Sequence, residues 1–159
     1  VQLATAVRRA TAADAPALAE LVNRAYAVEA FFVDGMRTSA AEVAQLIARG
    51  TFVVLESEGG LVAAIHIEPR GTFGMLAVAP EAQGHGLGTR LVRIAEAVCE
   101  AMGCEAVALR IVNVREELGR WYRSLGYRET GTAPFDGPSK VPCHFVEMRK
   151  SLAVTAAAA

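Results

Sequence analysis

The chain has 159 residues, 53% of them hydrophobic and 21% charged, with a net charge of -1 from 16 basic and 17 acidic side chains. That length suits one domain with a sizeable core, and the balanced charge argues against a protein that grips nucleic acid or a membrane through its overall field. Three irregularly spaced cysteines do not make a disulfide framework, and no basic leader or apolar run of about 18 residues is visible, so a cytoplasmic setting is expected.

In chain order, residues 5 to 10 read as a short strand. Asp14 and Pro16 then mark a helix start, with Leu18, Leu21, Val22 and Ala25 on one face. Residues 27 to 37 are irregular. Thr38 or Ser39 can cap a second helix that carries Val43, Leu46 and Ile47 and stops at Gly50. Residues 51–57 and 61–68 are β-rich runs around the turn Glu58-Gly59-Gly60, and Phe73 to Val78 is a third such run. After Pro80 come Gln83-Gly84-His85-Gly86-Leu87-Gly88 and a helical face of Leu91, Ala95, Val98 and Met102. Residues 105–111 read as a buried strand and 116–125 as a short helix closed by Gly126. Two further strands begin at Tyr127 and Cys143, either side of a loop with Pro134, Gly137, Pro138 and Pro142. The order β-α-α-β-β-β-α-β-α-β-β predicts an α/β protein: a mixed, mainly antiparallel sheet of six to seven strands with helices on both faces. Residues 1–152 form one expected domain, and 153–159 read as a disordered tail.

The glycine-rich loop follows a strand and opens a helix. Helix starts leave backbone N–H groups unpaired, the helix dipole favours negative charge there, and glycine lets the backbone approach a phosphate. A phosphate-binding loop of the Gly-x-x-x-x-Gly-Lys-Ser/Thr type needs a lysine that is absent here. The dinucleotide pattern Gly-x-Gly-x-x-Gly fails as well, since its third glycine would fall on Thr89 or Leu91.

The pattern that fits is Gln-x-x-Gly-x-Gly at Gln83, Gly86 and Gly88, after Met75-Leu76-Ala77-Val78-Ala79-Pro80 and before Asn113 and Trp121-Tyr122-Arg123-Ser124-Leu125-Gly126-Tyr127. In these elements the chain resembles the GNAT superfamily of acyl-CoA N-acyltransferases. The resemblance implies acetyl-CoA as acyl donor, with its pyrophosphate on the backbone amides of Gln83, Gly84, His85, Gly86, Leu87, Gly88 and Thr89. It implies a bulged strand at Leu76, Ala77 and Val78 whose backbone pairs with the pantetheine arm, and a further cofactor contact at Asn113. Asn113 can equally be a simple helix cap.

Tyr122 matches the family's tyrosine near the CoA sulfur, where a phenol can donate to the departing thiolate. The alternative for Tyr122 is a core aromatic beside Trp121. Some members carry a glutamate base on the strand before the loop, and Thr72 stands at that position here. Glu68 and His66, two apart and so on one strand face, are the nearest candidates, ahead of His144 and Glu29. Residues 26–38 fall where the family builds its acceptor site, with Glu29 and Asp34 suited to an amine and Arg37 to a carboxylate. Arg90, in the first turn of the loop helix, would welcome an anion.

No metal is expected, because Cys99 and Cys104 match no common zinc spacing. The expected partners are a small-molecule or peptide amine and, by analogy with the family, a second copy of the chain. The competing reading is a non-catalytic acyl-CoA-binding module on the same fold.

Overall fold

The longest uninterrupted apolar runs build the centre of the molecule. In the computed structural model, which describes residues 4–153, strand β2 (Thr51–Ser57) buries Phe52, Val53, Val54 and Leu55 in succession. Strand β3 (Gly60–Ile67) does the same from Ala63 to Ile67. Successive strand side chains point to opposite faces, so such runs require cover on both sides. Helices α1 (Ala15–Ala25) and α2 (Ala40–Arg49), packed on each other, and α3 (Leu87–Ala101) supply it. They contribute Leu18, Leu21 and Val22, then Val43 and Leu46, then Leu91, Val92 and Ala95. Ser39 caps α2 by accepting from the Glu42 N–H at 3.2 Å. Asp14 precedes α1 without capping it, since its carboxylate is held by the Arg8 guanidinium and the Thr11 N–H.

The seven described strands form the expected mainly antiparallel architecture, divided into two sheets. β1 (Ala6–Arg9), β2, β3 and β4 (Phe73–Val78) form an antiparallel sheet in that order. β5 (Ala106–Val112), β7 (His144–Ser151) and β6 (Arg128–Pro134) form a second antiparallel sheet, with β7 central. Among the described residues the sheets meet at one parallel bridge, Thr72 with Ala108, where the Ala108 N–H reaches the Gly71 carbonyl at 2.9 Å.

Beyond that bridge β4 and β5 separate, and a bulge in β4 supplies the cause. On β3 one residue, Ile65, lies between the paired Ala64 and His66; on β4 two, Met75 and Leu76, lie between their partners Ala77 and Gly74. Met75 takes φ 51, a left-handed conformation rare outside glycine. The extra residue bends β4 away from its neighbour. Helix α4 (Glu116–Ser124) follows β5. Of the expected tail 153–159, residues 154–159 lie outside the described residues.

Candidate active site

The loop after β4 lies just beyond the strand's C-terminal end. A short 3-10 turn, Pro80–Ala82, leads into it, and Gly86 precedes α3. Gly84 and Gly86 adopt φ 83 and 77, left-handed values that cost other residues about 1–2 kcal/mol. Arg90 is the first residue of α3 whose N–H turns back to the loop, to the Gly86 carbonyl at 3.0 Å. Among the described residues no acceptor meets the N–H groups of Gly84 through Thr89, and Gln83 to Gly86 are exposed. A run of outward N–H groups at a helix start is suited to an anion. Side chains lock the loop from behind: Gln83 Nε2 donates to the Val78 carbonyl at 3.3 Å, and His85 Nδ1 lies 3.1 Å from the Ala82 and Gln83 carbonyls. Arg90 donates to Thr5 Oγ1, on its own side of the helix start.

Leu76 and Val78 are half-buried and Ala77 is buried, on the stretch of β4 whose far edge has no strand partner among the described residues. That bare edge offers backbone groups to an extended ligand. Asn113 is otherwise engaged: its Oδ1 accepts from the His144 N–H at 2.8 Å and so extends the β5–β7 ladder by one rung.

Tyr122 sits in an aromatic nest on α4. Its ring meets Trp121 at 4.7 Å, Tyr127 at 5.6 Å and Phe73 of β4 at 6.1 Å between centroids. The side chain is 4% exposed, and among the described residues its hydroxyl has no hydrogen-bond partner. That hydroxyl is not among the sealed polar atoms, so it opens onto solvent-accessible space. Burial, followed by the neighbouring Tyr26, pushes its pKa well above the ordinary phenol value, against an opposing effect of Arg115. The phenol therefore stays protonated at neutral pH. Tyr127, its neighbour, is anchored from below by donating to Glu96 at 2.8 Å.

The two candidate bases occupy different surroundings. His66 is 3% exposed; its Nε2 donates to the Leu46 carbonyl at 2.8 Å and its ring lies 4.9 Å from Phe52. It packs beneath α2, and burial lowers its pKa. Glu68 is half-buried and accepts from the Thr72 hydroxyl at 3.1 Å, in the β3–β4 turn beside the bridge that closes the cleft. Neither contacts Tyr122 through any hydrogen bond or ring interaction among the described residues.

The segment expected to face the acceptor is a 3-10 turn, Tyr26–Phe31, followed by a loop. The β6–β7 connection is tied to it. Lys140 donates its N–H to the Phe32 carbonyl at 2.8 Å and its ammonium to the Ala30 carbonyl at 2.7 Å, and pairs with Asp34 at 2.9 Å. Arg37 lies over the Tyr26 ring at 5.4 Å. Glu29 is 8% exposed and pairs with Arg115 at 2.9 Å; Arg115 also holds Glu117 at 2.5 Å. Arg115 has no place in the sequence reading, although one signal pointed to it: a cation at the start of a helix opposes the dipole and needs an anion nearby. Among the described residues no group of three or more His, Cys, Asp or Glu is placed to hold a metal ion.

A bulged strand, separated β4 and β5, and an amide-lined helix start thus meet at one end of the first sheet. A family profile described as an acetyltransferase (GNAT) domain matches residues 48–129, just over half of the chain. The chain belongs to the GNAT acetyltransferase family. Among solved structures, the ribosomal-protein-S18-alanine N-acetyltransferase of Escherichia coli superposes with a TM-score of 0.80 at 20% identity, over 94% of each chain. The ribosomal-protein-alanine N-acetyltransferase of Brucella melitensis gives 0.75 at 22% identity, over 92% of this chain and 99% of that one. A phosphinothricin acetyltransferase of Sinorhizobium meliloti in complex with acetyl-CoA gives 0.73 at 20% identity, over 93% and 88%. No curated protein sequence matches the chain. No helix among the described residues is long and apolar enough to cross a membrane.

Proposed function

We propose that this protein is an N-acetyltransferase that moves an acetyl group from acetyl-CoA to a primary amine of a small molecule or peptide by direct attack, with Tyr122 as general acid. The observation that carries this reading is the unpaired N–H run from Gly84 to Thr89 at the mouth of the β4–β5 cleft. Its donors suit a pyrophosphate, and the bare edge of β4 at Leu76, Ala77 and Val78 suits the amide-bearing arm that follows it. Asn113 has only its Nδ2 left to offer, because its oxygen is committed to His144.

Tyr122 then acts on the leaving group. A free thiol has a reference pKa of about 8.5 and a phenol about 10, and burial raises the phenol further. Full transfer to form a lasting phenolate is uphill. The hydroxyl instead donates to the sulfur as the C–S bond breaks, while recovering a proton from the attacking nitrogen. A buried hydroxyl with no internal partner suits that exchange, since no existing bond must break first.

The test is acetyl-CoA binding by calorimetry, followed by thiol release over a panel of amines. The panel includes alanine-initiated peptides, because two similar structures are ribosomal-protein-alanine acetyltransferases. Tight CoA binding without turnover across the panel would instead identify a binding module.

A further inference from the structure

The Glu29–Arg115 pair does more than join two segments. Glu29 lies in the turn after α1, and Arg115 immediately precedes α4, seven residues before Tyr122. Arg115 flanks the start of α4 and acts electrostatically on the Tyr122 phenol, which puts the pair within reach of that tyrosine. Both members of the pair are largely buried, with side chains 12% and 11% exposed. Burying a carboxylate is costly unless it is fully paired. Glu29 is only half paired: Oε2 accepts from Arg115, while Oε1 has no protein donor among the described residues and is not sealed from solvent. Arg115 does not depend on Glu29 for neutrality, since Glu117 also holds it. A second cation would complete the site.

Resting on the acetyltransferase reading above, we infer that Glu29 is the acceptor-side catalytic residue, which binds the substrate ammonium through Oε1 and takes its proton. The neutral amine then attacks the thioester carbonyl and forms the C–N bond. Collapse breaks the C–S bond; the sulfur takes a proton from Tyr122, which regains one from the nitrogen. The products are the amide and the free thiol, and the proton on Glu29 returns to water.

The surroundings also set the acceptor class. Val28, Phe31 and Met36 of the same segment are 55%, 52% and 80% exposed. Around it Arg37, Arg115 and Lys140 stand against the carboxylates of Glu117 and Asp34, which leaves one positive charge in excess apart from Glu29 itself. The acceptor is thus a singly charged primary amine that carries an apolar group, and a polyamine is disfavoured. The charged and titratable groups facing Glu29 are Arg115, Arg37, Glu117 and Tyr26. Burial raises its pKa against the lowering effect of Arg115, which strengthens it as a base.

The test measures kcat/KM against pH for the full chain with acetyl-CoA and 2-phenylethylamine, and with spermidine as the polycationic contrast. The wild type should be flat between the Glu29 and amine pKa values and should prefer 2-phenylethylamine. Glu29→Gln should lose about 100-fold or more at pH 7, with acetyl-CoA affinity within twofold. The gap should close by about tenfold per pH unit, as water alone supplies free amine. The double variant Glu29→Gln/Arg115→Gln, which leaves no unpaired buried charge, should show the same rising profile even where the single variant folds poorly. A variant profile parallel to the wild type, or a loss under threefold, overturns the assignment. A preference for spermidine overturns the acceptor class. Absence of thiol release from the wild type with every amine tested would overturn the acetyltransferase reading itself, and the role of Glu29 with it.

Discussion

The indole ring of Trp121 lies against Gly88, its Cη2 and Cζ2 atoms 3.5 Å from where a Cβ on that glycine would stand. The start of α3 and the middle of α4 are therefore in direct contact. Trp121 in turn meets Tyr122 edge-on. One short chain of contacts thus links the amide-lined loop to the tyrosine assigned to the leaving group.

That linkage separates two substitutions in the loop. Gly86→Val places a β-branched residue at φ 77, where the strain is about 1–3 kcal/mol. It should reshape the amide run and weaken acetyl-CoA binding by tenfold or more, with kcat at saturation largely kept. Gly88→Leu would instead push on Trp121 and lower kcat as well. Calorimetry and saturation kinetics distinguish the two, and a Gly86→Val protein with unaltered affinity would refute the assigned loop role.

Tyr122→Phe removes a hydroxyl that has no hydrogen-bond partner among the described residues. Stability should therefore stay within about 0.5 kcal/mol, the range of substitutions that break no packing or hydrogen bond. Turnover should fall by about 100-fold or more, with acetyl-CoA affinity little changed. An unchanged kcat removes Tyr122 from the mechanism and leaves it an aromatic of the nest.

His66 is expected to matter for stability and not for the chemistry. Burial holds its pKa below the ordinary 6.5, so the folded state favours the neutral ring. Its contribution is complete above the unfolded value and is lost as pH falls from about 6.5 toward the folded pKa. His66→Ala leaves a cavity and an orphaned Leu46 carbonyl, at a cost of about 2–4 kcal/mol, and should remove that part of the pH dependence. Denaturant melts at pH 5 and pH 8 check both points; a large drop in kcat in folded His66→Ala would return it to the list of bases.

Glu96 behaves in the opposite sense to an ordinary buried acid. Burial alone would raise its pKa, yet hydrogen bonds from Arg93, Tyr127 and Lys150 together bring it below the usual 4.5. Its stabilisation is therefore present above that value and fades as pH falls through the lower folded pKa. Tyr127→Phe deletes one of these donors, and a hydrogen bond to a charged group is worth about 1.5–3 kcal/mol. Because Tyr127 supports the Tyr122 ring at 5.6 Å, kcat should fall modestly alongside stability. Equal stability of wild type and Tyr127→Phe at pH 7 would contradict this account.

Much of this molecule is local and so could be read from residues in order. The element sequence follows from periodicity, from Ser39, Gly50 and Gly126 as punctuation, and from the buried run of β3. The unpaired amides of the loop were legible because their exposure depends only on the turn and helix that Gln83–Gly88 specify. Other features depend on which distant segments meet. The resemblance implied a bulge in β4, but its place at Met75 and Leu76, and the Thr72–Ala108 bridge where the sheets still meet, are marked by no distinctive residue. The positions of His66 and Glu68 were equivalent by strand alternation, and only packing put one beneath α2 and left the other in a turn. Glu29 and Arg115 are 86 residues apart, and neither residue alone announces its partner. The amides of the Gln83–Gly88 loop were thus written in sequence, while Glu29 and Arg115 were brought together by tertiary structure alone.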